Sequence, residues 1–252
     1  MFYLDFLAET HRRLKPAAYL EIGVDVGHSL ALADCPSIGV DPDFRIEAEL
    51  DQRVALFRTL SDEYFDRPDP LAPTGGIPFE LSFIDGLHLF EFALRDLIVA
   101  ERHSAARGVV ILDDVLPRTV DESSRERHTV AWTGDVFRVV EALSRYRPEL
   151  VLLPLDTSPT GLLMVLGLDP TSTVLVDHYD EIMAELRRPD PQEVPVEILD
   201  RTSVISPERL LQAGVLEALS ELPSQSTHAE VSEVIPQLVA ARLGPGFVAS
   251  AA

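Results

Sequence analysis

Acidic residues and glycines follow five short apolar segments in the first half of the sequence. The residues concerned are Glu21, Gly23, Gly27, Asp41, Ser61, Asp62, Asp85, Asp113 and Asp114. If the segments are parallel strands, their carboxyl ends share one sheet edge, where ligands bind in open α/β sheets. Turns favour Asp and Gly in any protein, so one such acid is uninformative. Acids at the ends of all five predicted strands, on the same sheet edge, indicate a binding site.

The first three segments predict a nucleoside site. Gly23 and Gly27 let the backbone turn closely past a ligand. Asp41 follows Gly23 by 18 residues, a sequence spacing at which an acid can bind both ribose hydroxyls. The dinucleotide fingerprint G-x-G-x-x-G is not matched, and none of the residues singled out here is basic, so a pyrophosphate is disfavoured. Ser61 and Asp62 could then hydrogen-bond an adenine. The alternative is a tight turn, a helix cap at Ser61 and solvated acids.

Asp85, Asp113 and Asp114 predict a metal site. Neighbouring strands lie roughly 4.8 Å apart, so these carboxylates would reach one ion. Close carboxylates repel one another and become partly protonated unless a cation sits between them. Oxygen ligands select Mg²⁺ rather than zinc. In the alternative, Asp113 or Asp114 caps the following loop and pairs with Arg118.

His88 is the candidate general base. It follows Asp85 by three residues, in the turn before a predicted helix. An imidazole can accept a proton near neutral pH, and the neighbouring metal site favours a catalytic role. A lone histidine is also a common structural hydrogen-bonder, so that interpretation stays open.

A second metal motif joins His178-x-Asp180 to the distant His228, which are the residue types of an iron-oxygenase triad. The two neighbouring ligands must point to one side, which a strand allows and a helix does not. Because residues 176–186 have a helical pattern, we expect this motif to be coincidental.

The apolar segments also predict the elements that position these residues. Strands are expected at 18–23, 37–41, 54–59, 79–84 and 108–113, with helices at 2–14, 28–33, 61–65 and 89–102. This alternation indicates an α/β fold with a doubly wound, mostly parallel sheet. Segments 150–155 and 161–166 are joined by too few residues for a parallel crossover, so they should form an antiparallel hairpin. We therefore expect a seven-stranded sheet.

The pattern changes near residue 170. We expect residues 1–170 to form the binding domain and residues 171–252 to form a helical C-terminal extension. Helices are expected there at 171–188, 207–222 and 230–243. The extension could cover one face of the sheet, close over the site or form a homo-oligomer contact.

Composition narrows the class of protein. The chain has 252 residues, 46% of them hydrophobic, and a formal net charge of -21. An acidic surface repels phosphate backbones and anionic lipids, so neither nucleic acid nor a membrane is an expected partner. Cys35 is the only cysteine, which excludes an internal disulfide and a thiolate zinc cluster. With no signal-like start and no apolar run of about 18–20 residues, we expect a cytoplasmic protein.

Four motifs carry a resemblance to a known family. They are Tyr19-Leu-Glu-Ile-Gly-Val, Ile84-Asp-Gly-Leu-His-Leu-Phe-Glu91, Ile111-Leu-Asp-Asp-Val115 and Trp132-Thr-Gly-Asp-Val136. Over about residues 15–170 the chain resembles the class I S-adenosylmethionine-dependent methyltransferases. Within that class it is most similar to the metal-dependent macrolide-sugar O-methyltransferases of the mycinamicin and macrocin type. The resemblance implies a Rossmann-like methyltransferase fold.

The resemblance also implies roles for the residues already singled out. The loop from Glu21 to Gly27 would hold the methionine part of S-adenosylmethionine, although its E-x-G-x-x-x-G pattern departs from the usual G-x-G. Asp41 would bind the ribose and Ser61-Asp62 the adenine end, with Asp85 also at the cofactor. Asp85, Asp113 and Asp114 would ligate Mg²⁺, and His88 would be the base.

The implied activity is O-methylation of a small-molecule hydroxyl, with a sugar or another compound of natural product biosynthesis as the expected acceptor. Residues 132–135 could line the acceptor pocket, or Thr133 could cap a helix. A non-methylating or regulatory protein that binds S-adenosylmethionine is the alternative.

Overall fold

The computed structural model describes residues 1–247, which contain one seven-stranded sheet. Its strands are β1 (Tyr19–Ile22), β2 (Ser37–Val40), β3 (Val54–Phe57), β4 (Phe79–Ile84), β5 (Ser104–Leu112), β6 (Val151–Leu155) and β7 (Leu162–Leu166). The spatial order is β3-β2-β1-β4-β5-β7-β6. The first five strands are parallel, and β7 pairs antiparallel with both β5 and β6. The predicted parallel sheet ending in an antiparallel hairpin is therefore confirmed.

The sheet order places a crevice beside β1. This strand pairs with β2 on one side and β4 on the other, so the chain winds outward in both directions from it. Successive crossovers then leave the sheet on opposite faces, and their loops separate at the carboxyl ends of the strands. The residues of β1, β2 and β4 are buried, which explains their nearly continuous apolar runs.

Helices cover both faces of the sheet. They are α1 (Tyr3–Leu14), α2 (Ser61–Phe65), α3 (Phe90–Arg102), α4 (Arg138–Tyr146), α5 (Val174–Asp177), α6 (Tyr179–Leu186), α7 (Val196–Leu199), α8 (Pro207–Ala213), α9 (Val215–Ser220) and α10 (His228–Leu243). One core cluster joins α1, α8, α9 and α10 to side chains such as Leu81 and Phe83. The other joins α3, α4 and α6 to the opposite sheet face.

Two helix predictions need correction, and one helix lies outside the predicted ranges. The segment predicted as helix 28–33 forms only one 3₁₀ turn, Leu30–Leu32, in the link between β1 and β2. Helix α4 was not predicted. The predicted helix 207–222 is broken into α8 and α9 at Gly214, whose φ of 67° is left-handed.

The segment after β7 is helical in the described residues, as expected, and it packs on the sheet. The boundary at residue 170 stays a prediction, and residues 248–252 of the expected extension lie outside the described residues. Within residues 1–247, none of the helices has both the length and the apolar character needed to cross a membrane.

Candidate active site

A cleft of about 600 Å³ lies at the carboxyl ends of the central strands. Side chains and backbone from four strand exits line it, together with two residues of α3. The lining includes Gly23, Asp25, Asp41, Ser61, Asp85, Gly86, His88, Phe92, Asp96 and Arg127. Such a volume is typical of small-molecule sites. The cleft thus brings together half of the ten sequence-predicted site residues, namely Gly23, Asp41, Ser61, Asp85 and His88.

The loop after β1 is held by close backbone approach. Gly23 has a φ of 87°, and a Cβ built on it would lie 1.9 Å from the carbonyl oxygen of Asp85. Only glycine fits both conditions, because a side chain would strain the backbone and collide with the exit of β4. The Asp41 carboxylate fixes the other side of the loop, accepting hydrogen bonds from the backbone N–H groups of Val24 (2.7 Å) and Asp25 (3.0 Å).

Glu21 and Gly27 lie outside the residues that line the cleft. The Glu21 side chain is fully buried and accepts hydrogen bonds from the Tyr19 hydroxyl (2.5 Å) and the Ser29 hydroxyl (2.9 Å). Burial raises the pKa of Glu21 to about 8, against the effect of these hydrogen bonds. Glu21 therefore supports the loop from behind.

Asp85, His88 and Asp114 converge at the edge of the cleft. One ligand atom from each lies within 4.8 Å of the others, and this is the only such group in the described residues. The His88 ring nitrogens lie 3.2 Å from an Asp85 oxygen (Nε2) and 3.0 Å from an Asp114 oxygen (Nδ1). Asp114 has a φ of 64°, so the chain turns sharply where its carboxylate meets His88.

Asp113 is buried beside this group but is not part of it. Its Oδ1 accepts a hydrogen bond of 2.7 Å from the backbone N–H of Asp114. The alternative pairing with Arg118 is wrong, because the Arg118 guanidinium bonds Glu122 instead.

The charges of this group fit a cation. Burial raises the pKa of Asp113, and the charges of Asp114 and Asp85 add to the effect. Burial likewise raises the pKa of Asp85, against the His88 hydrogen bond. Burial lowers the pKa of His88, but hydrogen bonds and charges from Asp114 and Asp85 outweigh it and raise it to about 11. Neighbouring carboxylates held out of water favour a hard divalent ion such as Mg²⁺.

Trp132 covers the His88 imidazole. Its indole stacks on the His88 imidazole with ring centres 5.0 Å apart, and its carbonyl oxygen lies 2.6 Å from Nδ1. Thr133 does not cap a helix, because its hydroxyl donates to the Glu122 carbonyl and α4 begins only at Arg138. The segment at 132–135 therefore forms one wall of the His88 environment.

The two residues predicted at the adenine end separate. Ser61 lines the cleft, whereas the exposed Asp62 lies outside the lining and pairs with Arg95 on α3 at 3.2 Å. Asp96, which sequence reasoning missed, lines the cleft and accepts a hydrogen bond from the Ser61 hydroxyl. The buried face of α3 carries two acids, Asp96 and Glu101, so the sequence alone does not single out Asp96.

The iron-oxygenase motif does not assemble. Asp180 lies in the first turn of α6, and His178 precedes that helix and contacts Glu181 at 2.9 Å. His228 belongs to α10, and its Nδ1 lies 3.0 Å from the Leu168 carbonyl oxygen. Within the described residues, these side chains form no common metal-binding group.

Comparison with known proteins finds similarity in part of the chain and in the fold. Residues 20–115 match a family model described as a methyltransferase domain. No curated protein matches the chain. Similar solved structures include an O-methyltransferase from Bacillus cereus in complex with SAH, which is 18% identical with a TM-score of 0.50. Their alignment covers 65% of this chain and 79% of that one.

Two further structures have comparable similarity. The O-methyltransferase TomG from Streptomyces achromogenes, in complex with SAM, is 20% identical with a TM-score of 0.51, covering 65% of this chain and 78% of that one. An SAH-bound methyltransferase from Podospora anserina is 16% identical with a TM-score of 0.50, covering 65% and 77%.

Residues 20–115 are therefore similar to a methyltransferase domain, and the chain has the fold of these solved methyltransferases. These comparisons do not support the narrower resemblance to the macrolide-sugar O-methyltransferases.

Proposed function

We propose that this protein transfers a methyl group from S-adenosylmethionine to a hydroxyl oxygen of a small molecule, with Mg²⁺ and a histidine base. The observation that carries the proposal is the position of the Asp85–His88–Asp114 group at the edge of the cleft. A nucleoside in that cleft would present its reactive end to these residues. A sugar or other natural product hydroxyl is the acceptor class that the sequence resemblance suggests.

The cleft has the chemistry for a cofactor without phosphates. Asp25, Asp41, Asp85 and Asp96 line it, and Arg127 is the only arginine or lysine of the lining. S-adenosylmethionine supplies a methyl group on a positively charged sulfur, which an acid-lined cleft attracts. Asp41 is held rigidly by the loop amides, so it can receive ribose hydroxyls with little further ordering.

The acidic group at the edge would hold the metal. Asp85 and Asp114 would be its ligands, with Asp113 as the third predicted one. Mg²⁺ would supply Lewis-acid polarisation of the acceptor hydroxyl. Asp85 and Asp114 raise the pKa of His88, and they are also the proposed metal ligands. If they bound the ion, the cause of the raised pKa would be removed. His88 would then take the acceptor proton, with its ring oriented by Trp132.

The surroundings of the enzyme are also part of the proposal. The net charge of -21 supports a protein that acts on small molecules, without nucleic acid or a membrane. We propose that the enzyme is cytoplasmic. A homo-oligomer contact is one role that the C-terminal helices could have.

The test is transfer of a labelled methyl group from S-adenosylmethionine to hydroxyl-bearing acceptors. We expect His88→Ala to reduce transfer by about 100-fold or more, because a positioned base alone contributes that much. Asp113→Ala should also reduce transfer, because it removes a proposed ligand of the ion that would polarise the acceptor hydroxyl. Asp180→Ala, a change on α6 away from the cleft, is the control and should keep full activity. Normal transfer in both site variants would contradict these roles. Cofactor binding without transfer to any acceptor would favour the regulatory alternative.

A further inference from the structure

Asp96 is a buried carboxylate that lines the cleft beside Ser61. It lies in the middle of α3 and is only 5% exposed. Its neighbours on the inner face of this helix are Ala93, Leu94, Leu97 and Ala100. A carboxylate is costly to bury in such surroundings unless it gains specific partners. Burial raises the pKa of Asp96 to about 7, against the effect of its hydrogen bond from Ser61.

One oxygen of Asp96 is engaged and the other is open. Oδ1 accepts the hydrogen bond of the Ser61 hydroxyl. Within residues 1–247, Oδ2 has no hydrogen-bond donor, and it faces Gly86, another residue of the lining. A Cβ at position 86 would lie 3.2 Å from Oδ2, so the glycine leaves this oxygen uncovered. The cleft therefore contains one fixed, unpartnered acceptor next to Ser61.

The acid predicted for this end cannot take the same role. The Asp62 carboxylate is exposed, points to Arg95 and lies outside the cleft lining. Sequence proximity to Ser61 favoured Asp62, but the packing of α2 against α3 brings Asp96 to Ser61 instead.

We propose that Asp96 determines base specificity by accepting a hydrogen bond from the exocyclic amino group of the cofactor's adenine. This assignment rests on the proposed function, since it requires an adenosyl ligand in the cleft. In a nucleobase with a carbonyl oxygen in place of the amine, that oxygen and Asp96 Oδ2 would both be hydrogen-bond acceptors and would repel each other. Sites that lose a hydrogen bond to a buried charged group discriminate strongly against such analogues.

The experiment compares S-adenosylhomocysteine with its deaminated analogue S-inosylhomocysteine, in which a carbonyl oxygen replaces the exocyclic amine and N1 carries a proton. Calorimetry gives the ratio of their dissociation constants in each variant. We expect the wild-type protein to prefer the adenosyl ligand by about 10- to 100-fold, the range of one charged hydrogen bond. In Asp96→Asn the amide can donate to the carbonyl, so the preference should fall to about unity or reverse.

Asp62→Asn tests the rival assignment and should keep the wild-type preference. Ser61→Ala leaves Asp96 in place but frees its Oδ1, so the preference should fall by about fivefold, the effect of one lost neutral hydrogen bond. This variant keeps the proposal testable if Asp96→Asn does not fold. An unchanged preference in Asp96→Asn, or one lost in Asp62→Asn, would overturn the assignment while the proposed function stands. Binding of neither ligand by the wild-type protein would overturn both.

Discussion

At the scale of single residues, the candidate site depends on acids that are kept out of water. Glu21 is the clearest case, because it lies in the middle of a buried strand with a pKa of about 8. The unfolded chain ionises this group near 4.5, so the folded protein binds more protons between pH 4.5 and 8. Stability contributed by the protonated carboxyl is therefore full below pH 4.5 and is lost as the pH rises to 8.

Glu21→Gln should remove this pH dependence. The amide keeps a hydrogen-bonding group between Tyr19 and Ser29 without a charge to bury. We expect the stability of the variant relative to wild type to increase by up to about 4 kcal/mol between pH 5 and pH 8, as measured by urea unfolding. Glu233→Gln, an exposed change on α10, should show no such trend. Parallel pH profiles for Glu21→Gln and wild type would show that Glu21 is ionised in the folded protein.

At the scale of elements, the cleft requires the β1 loop to touch the exit of β4. Gly23→Ala and Gly75→Ala both place a side chain at a left-handed φ, but only Gly23 has a neighbour in the way. We expect Gly75→Ala to lower the free energy of unfolding by about 1–2 kcal/mol from backbone strain alone. Gly23→Ala should lower it by at least about 2 kcal/mol more, since overpacking is added. Equal losses in urea unfolding would argue against the close approach.

Most of the elements could be predicted from the sequence, and the exceptions have physical reasons. Buried parallel strands are continuous apolar runs, and the short link before residue 161 permits only a hairpin. The helix expected at 28–33 does not form, because the link between β1 and β2 is short. The local sequence pattern carries no information about that length. Site residues could be predicted where an acidic residue directly follows a strand, as Asp41 and Asp85 do. Asp96 was not, because only the packing of α3 brings it to Ser61.

At the scale of the whole molecule, Arg107 on β5 ties the C-terminal helices to the sheet. Its guanidinium lies 2.7 Å from the buried Glu80 carboxylate and donates to carbonyl oxygens of Ser220 and Leu222, at the end of α9. One side chain therefore connects the parallel sheet with the segment that follows residue 170.

Arg107→Leu should destabilise the protein by about 3 kcal/mol, because it leaves a buried carboxylate without its cation. Arg145→Leu removes a half-exposed pair with Glu141 on α4 and should lower the unfolding free energy by less than about 1 kcal/mol. Urea unfolding of the two variants gives the comparison. Similar small losses in both would mean that the Arg107 contacts contribute little to holding these helices on the sheet.

Thermal unfolding with S-adenosylmethionine, S-adenosylhomocysteine and NAD, each with and without Mg²⁺, tests the central claim most directly. A ligand that binds only the folded state stabilises it by about 2.7 kcal/mol at 100 times its dissociation constant. We expect both adenosyl ligands to raise the unfolding midpoint and NAD to leave it unchanged. Mg²⁺ should raise the midpoint further in wild type but not in Asp85→Asn. A midpoint raised by NAD, and by neither adenosyl ligand, would contradict the account.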